Sequence, residues 1–111
     1  MTIEDLKNWG ADTDKGLERC MGNADLFLRL VGMTGINDNF EKCEKALAEN
    51  DLDGAFEAAH ALKGVTGNLE LTPIYEPVSE LTEALRNRSG IDYSALYQKV
   101  KEEKEKLDAL L

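Results

Sequence analysis

Apolar residues recur at steps of three or four along residues 24–51, and this spacing constrains the fold more than any other feature of the chain. Such steps follow one face of an α-helix, whereas a half-buried strand would need strict alternation. Gly32 and Gly35 interrupt the run without changing its phase, so the pattern predicts one long helix, capped by Asn23 and bent near the glycines. The apolar positions are Phe27, Leu30, Met33, Ile36, Phe40, Cys43 and Leu47.

Capping residues predict two short helices before this segment. Thr2 is followed three residues later by Asp5, which is the spacing of a capping box, and Gly10 ends this first helix. Asp12 or Thr13 caps a second helix that stops just before the long one.

Three further helices are predicted after residue 50. Asp51 or Asp53 caps the first, and Thr72 caps the second, with Pro73 at its first helical position. Pro77 removes a backbone hydrogen bond, so the second helix should kink there or restart. The last helix, in residues 91–111, has a buried stripe formed by Tyr93, Leu96, Val100, Leu107 and Leu110 or Leu111.

No alternating run of β-branched residues indicates a strand, and no linker or internal repeat divides the 111 residues. The chain is therefore predicted to form one all-α domain over residues 1–111. Four substantial helices with short connections favour an antiparallel four-helix bundle, with one or two short helices before it. The initial methionine and the C-terminal helix favour a free-standing protein.

The charge of the chain narrows the classes of partner. The formal net charge is −9, which repels nucleic-acid phosphates and anionic membrane surfaces. No apolar run is long enough to span a bilayer, and the first ten residues lack a signal-peptide pattern, so a cytoplasmic protein is expected. Cys20 and Cys43, in such a compartment, are expected to be buried free thiols.

The only histidine, His60, falls on the polar face of the first helix after residue 50. The opposite face holds Leu52, Ala55, Phe56, Ala59, Leu62, Val65, Thr66 and Leu69, so the imidazole is expected to face solvent. Glycine inside a helix costs about 1 kcal/mol relative to alanine. Two glycines beside His60 therefore suggest a bare strip where a bulky partner approaches, and their phase argues against helix–helix packing. The polar face consists of Asp53, Glu57, His60, Gly64 and Gly67, flanked by Lys63 and Asn68.

Residues 60–69, HALKGVTGNL, resemble the motif of histidine-containing phosphotransfer (Hpt) domains. The matching features are the histidine, a lysine at +3, a glycine at +4, a small residue at +6 and an apolar residue at +9. Residues 14–31 and 79–86 are also similar to family segments, so the resemblance covers nearly the whole chain.

The resemblance implies a phosphorelay intermediate without autokinase activity. His60 would accept a phosphoryl group at Nε2 from a receiver-domain aspartyl phosphate, with Nδ1 held by a hydrogen bond, and would pass it to another receiver. Lys63 would offset the phosphate charge, although a solvated surface lysine is the other interpretation. Ser79 or Thr82 could orient the ring. The docking surface would comprise Gly64, Gly67, Glu57, Ala61 and Asn68.

Receiver domains of response regulators or hybrid histidine kinases are the expected partners of a monomer. The chain has no Gly-rich nucleotide loop and no metal-binding spacing. No cofactor is therefore expected, and Mg²⁺ would be needed only in the receiver.

Two residues depart from the family pattern. Glu70 stands where a glycine is usual and adds a negative charge near the phosphate site, while Pro77 replaces a small helical residue. Both keep open an alternative function, a helical adaptor that docks receivers or kinases without carrying phosphate.

Two other classes have less support. In a metal or haem bundle, Met21 and Met33 could be ligands, because the helical periodicity places both on the core side. The chain lacks the inward-facing carboxylates that such a site would need. A hydrolase with His60 as base lacks a nucleophile at helical spacing.

Overall fold

A computed structural model describes residues 1–111 as seven α-helices without strands. The all-α prediction is confirmed. The helices are α1 Ile3–Trp9, α2 Thr13–Arg19, α3 Ala24–Gly35, α4 Asn39–Ala48, α5 Leu52–Asn68, α6 Thr72–Asn87 and α7 Tyr93–Leu110.

Helices α4 to α7 form the bundle. α5 packs against both α4 and α6, and α7 packs against α6 and α4. Connections of three to five residues (49–51, 69–71 and 88–92) reverse the chain between consecutive helices. The Tyr97 hydroxyl on α7 donates a hydrogen bond to the Phe40 carbonyl on α4 at 2.8 Å, which ties the first helix of the bundle to the last.

Helices α1 to α3 form an N-terminal layer in which α1 and α3 contact α7, and α2 contacts α1 and α3. The Trp9 indole N–H donates to Glu103 on α7 at 3.0 Å. The predicted capping box is present, because the Asp5 N–H donates to Thr2 and the Thr2 N–H donates to Asp5. Asp12 caps α2 and Asn23 caps α3 through their side chains, so these helix starts are confirmed.

The prediction of a single long helix within residues 24–51 is wrong, because the chain divides into α3 and α4. The Asn37 side chain accepts the Asn39 N–H at 2.9 Å, a local turn that competes with helical bonding. The two glycines before this turn already weaken the helix, and α3 ends at Gly35.

The division also changes which side chains of this region are buried. In α3 the fully buried residues are Phe27, Val31 and Thr34, a stripe offset from the predicted one. Met33 and Ile36, predicted to be inside, are 57% and 84% exposed. Met33 lies about a quarter turn away from the buried stripe of α3, and Ile36 follows the last residue of that helix. Met21 is also exposed, so the two methionines of the haem alternative lie outside the core.

Helix α6 starts one residue earlier than predicted, because the predicted cap, Thr72, is already helical. Leu71 is the N-cap, and Thr72 and Pro73 are the first two helical residues. The helix continues through Pro77 as one element, so the predicted restart is wrong. Proline removes only one backbone bond, while the α6 face buried against its neighbours extends from Ile74 to Leu85 on both sides of it.

The remaining predictions concern the C-terminal stripe and the cysteines. Val100 and Leu107 are buried as expected, and Leu110 rather than Leu111 packs against the core. Tyr97, which the pattern omitted, also belongs to the core. Cys20 and Cys43 are buried free thiols, as predicted. Burial raises the pKa of Cys43 to about 12, so its thiol stays protonated at neutral pH. None of the seven helices combines the length and apolar character of a membrane span.

Candidate functional site

Helix α5 places His60 on its outer face, near the middle of the helix. Ala55, Ala59 and Leu62 are buried on the inner side of α5, whereas the His60 side chain is exposed, as the periodicity predicts. The histidine therefore projects from a helix whose other side is fixed in the core.

The His60 ring stacks on the ring of Phe56, one helical turn earlier. The ring centroids are 5.5 Å apart and the planes differ by 14°. The Arg86 guanidinium of α6 lies 5.0 Å from the centroid of the same Phe56 ring. No protein group forms a hydrogen bond with His60, so ring stacking takes the place of the Nδ1 hydrogen bond that the family resemblance implies.

A surface cavity of about 430 Å³ opens beside His60. Its wall comes from α2, α5, α6 and the α5–α6 connection, and only one of its nine lining residues is hydrophobic. The lining residues are Arg19, His60, Lys63, Gly64, Gly67, Asn68, Glu70, Thr72 and Tyr75.

The two glycines after His60 have different neighbours. A Cβ atom at Gly64 would meet nothing within 4 Å, so this glycine leaves open space one turn from the imidazole. A Cβ atom at Gly67 would lie 3.1 Å from Cε2 of Tyr75 on α6. The prediction that neither glycine serves helix–helix packing is therefore wrong for Gly67, because α6 begins close enough to cover part of the predicted outer face.

Lys63 and Glu83 connect α5 to α6 beside the cavity. The Lys63 ammonium lies 3.5 Å from Glu83 Oε1, and the same oxygen lies 3.4 Å from Nε of Arg86. The Lys63 side chain is 28% exposed, which is less than a freely solvated surface lysine would show. It lies at the cavity wall with one carboxylate already beside it.

Glu70, the departure from the family motif, pairs with Arg19 across the cavity. Arg19 Nη2 lies 3.0 Å from Glu70 Oε1. The backbone of Glu70 has φ +56°, the left-handed region in which glycine is least strained. This conformation gives a physical reason for a glycine at this position in the motif, and Arg19 offsets the charge that Glu70 adds.

The other predicted site residues are dispersed. Asn68 lines the cavity, while Glu57 and Ala61 are exposed on α5 without lining it. Thr82 is fully buried and its hydroxyl donates to the Val78 carbonyl at 2.8 Å, so this donor is not used to orient the imidazole. Ser79 is half-buried and does not line the cavity.

Phe56, Arg19 and Tyr75 were missed by the sequence argument. Phe56 was assigned only to the core, although its spacing of four from His60 could have indicated ring contact. Arg19 and Tyr75 come from other helices, and no local pattern connects them with His60.

The Hpt domain family model matches residues 33–110, which include His60, Lys63 and both glycines of the site. The chain belongs to the Hpt domain family. Searches of curated proteins and of solved structures each gave no significant match. Hpt domains are phosphotransfer carrier modules of two-component phosphorelays and act with receiver and kinase partners. The match begins inside α3, so α1 and α2 lie outside it.

Proposed function

We propose that His60 accepts a phosphoryl group from a receiver-domain aspartyl phosphate and passes it to the aspartate of another receiver. The observation that carries this proposal is the exposed imidazole beside the open space at Gly64, on a helix anchored in the core. Group transfer needs the reacting atoms within about 3–3.5 Å of each other, so a partner's active site must be able to reach the ring.

The transfer step uses the lone pair of the neutral imidazole. Nε2 of His60 attacks phosphorus, the P–O bond to the receiver aspartate breaks, and the carboxylate leaves with the bonding electrons. Nδ1 keeps its proton during this step. Transfer to the next receiver reverses these bonds, with the second aspartate as nucleophile. Stacking on Phe56 limits rotation of the ring and so supports a fixed direction of attack.

In this proposal, the partner proteins carry out ATP-dependent phosphorylation and bind Mg²⁺. The Hpt domain has no Gly-rich nucleotide loop, so ATP-dependent phosphorylation belongs to a kinase, and Mg²⁺ belongs to the acidic pocket of the receiver. Receivers of response regulators or hybrid histidine kinases are the proposed partners, and the Hpt domain acts as a cytoplasmic monomer.

The first test is phosphorylation of His60. Incubation with a phosphorylated receiver should give an acid-labile, base-stable adduct, and His60→Gln should abolish it because glutamine lacks the nucleophile. Circular dichroism of the variant checks that the bundle is intact. Label that persists in His60→Gln would reject the proposal, and absence of label in the wild type, with receiver binding retained, would support the adaptor alternative.

The second test concerns Lys63. Lys63→Ala should slow transfer without abolishing it, because the substitution removes a positive charge near the phosphoryl group and leaves the nucleophile in place. Rapid-quench measurement of transfer from a phosphorylated receiver gives the rate. A rate equal to that of the wild type would assign Lys63 to its surface contact with Glu83 alone.

A further inference from the structure

Two backbone contacts hold helix α2 against the end of α5. The Asp12 N–H at the start of α2 donates to the Glu70 carbonyl at 3.0 Å. One turn later, a Cβ atom at Gly16 would lie 3.1 Å from the Leu69 carbonyl oxygen and 2.5 Å from the Phe27 ring. Only glycine permits this approach, so the position of α2 relative to the His60 cavity is fixed by backbone packing.

This position of α2 brings the Arg19 side chain to the cavity. Arg19 follows Gly16 by three residues and therefore lies on the same side of α2. Its guanidinium lines the cavity together with His60 and Lys63, and it meets Glu70 there. The Arg19 side chain is 55% exposed, so its guanidinium can change partners without leaving a packed interior.

The two cations that line the cavity already face carboxylates before His60 is modified. Arg19 faces Glu70, and Lys63 faces Glu83, whose Oε1 also lies 3.4 Å from Nε of Arg86. A phosphoryl group on a side chain adds about 1.5–2 negative charges at pH 7. One ammonium that already faces a carboxylate cannot offset that charge, whereas a guanidinium presents a planar fork of donors suited to phosphate.

We propose that Arg19 is a second cation for the phosphoryl group on His60, and that it exchanges Glu70 for phosphate when His60 is phosphorylated. Glu70 thus competes with the phosphoryl group for Arg19 and holds the guanidinium at the cavity until the group arrives. This inference rests on the proposed function of His60, but it concerns a helix outside the segment that the family model matches.

The test measures the ionisation of the phosphoryl group itself. His60 is the only histidine, so phosphoramidate, a small donor, labels one defined site. The pH midpoint of the ³¹P chemical shift is then compared between proteins. Arg19→Gln should raise the midpoint by about 0.3–0.7 pH unit, a two- to fivefold change in proton affinity, because a nearby cation favours the more negative form.

Three further variants test whether the shift comes from contact between Arg19 and the phosphoryl group, rather than from a general change in charge or from a defect in folding. Lys15→Gln removes the same charge from α2 at a residue that does not line the His60 cavity, and it should leave the midpoint within about 0.1 pH unit. Arg19→Lys should restore part of the shift. Glu70→Gln should lower the midpoint, because the competing carboxylate is lost. Melting curves followed by circular dichroism check that each variant is folded.

The outcomes also distinguish the inference from the proposed function. A midpoint in Arg19→Gln equal to that of wild type, or to that of Lys15→Gln, would show that Arg19 stays with Glu70 and would overturn the inference alone. Failure of phosphoramidate to label wild-type His60 would reject the proposed function and the inference together.

Discussion

Two stretches of the chain share the pattern Gly-X-Thr-Gly, residues 32–35 in α3 and residues 64–67 in α5. In both, the threonine is buried and its hydroxyl donates to the carbonyl four residues earlier, at 3.1 Å for Thr34 and 2.8 Å for Thr66. In both, the first glycine has nothing near its Cβ position and the second is packed against another part of the chain. Each helix ends within one residue of its second glycine.

The surroundings of the two stretches differ. The residue four positions before the first glycine is Leu28 in α3, which is half-buried, and His60 in α5, which is exposed. After α3 the chain enters an exposed turn at Ile36, whereas after α5 it continues to buried Leu69 and to Glu70, which meets Arg19. The shared pattern therefore leaves exposed backbone near the end of each helix. The packing of the neighbouring helices determines whether that backbone borders a functional site.

The largest expected difference is in phosphotransfer. Gly64→Gln should keep or raise the melting temperature, because glutamine is the better helix former by several tenths of a kcal/mol. Its side chain would occupy the space that the receiver needs, so transfer should fall at least about tenfold, since small misplacements of reacting groups are costly. Labelling by phosphoramidate should continue.

Gly32→Gln is the matched control for this experiment. It makes the same substitution at the first glycine of the other stretch, where a Cβ atom also meets nothing, and transfer should equal that of the wild type. A destabilised Gly64→Gln protein with normal transfer per folded molecule would mean that Gly64 serves internal packing. Equal loss of transfer in both variants would remove the distinction between the two stretches.

A smaller difference, in the free energy of unfolding, is expected between substitutions at the second glycine of each stretch. Gly35→Ala should raise the free energy of unfolding by several tenths of a kcal/mol, because the helical propensity improves and only the Leu111 side chain, at the chain end, must move. Gly67→Ala should be less stable than Gly35→Ala by about 0.5 kcal/mol or more, because the Tyr75 ring must shift. Urea denaturation measures both, and equal stabilities would show that Tyr75 moves at no cost.

The smallest difference is expected at the threonines. Thr34→Val and Thr66→Val each remove one hydroxyl donor whose acceptor is a helix carbonyl, so each should change the free energy of unfolding by no more than about 1 kcal/mol. The two changes should agree within about 0.3 kcal/mol in urea titrations. A much larger effect at Thr66 would mean that its hydroxyl has a role at the site which Thr34 lacks.

The periodicity and capping residues were sufficient to predict the all-α bundle and the exposure of His60, because helix faces and caps depend on residues three or four apart. The break between α3 and α4 was not predicted, because the apolar phase continues through a turn that the Asn37 side chain stabilises. The packing of Gly67 and the cavity residues Arg19 and Tyr75 depend on which helices meet. Contacts of that kind have no local signal in a single sequence.

The chain has one tryptophan, and Trp9 lies in the contact between α1 and α7. Its fluorescence therefore reports the docking of the N-terminal layer, whereas far-ultraviolet ellipticity reports helix content throughout the chain. Two melting curves that coincide would indicate that the layer and the bundle unfold as one cooperative unit. An earlier fluorescence transition would mean that the layer carrying Arg19 detaches while the histidine-bearing helix remains folded. The proposed phosphoryl site would then lose one wall before it loses His60.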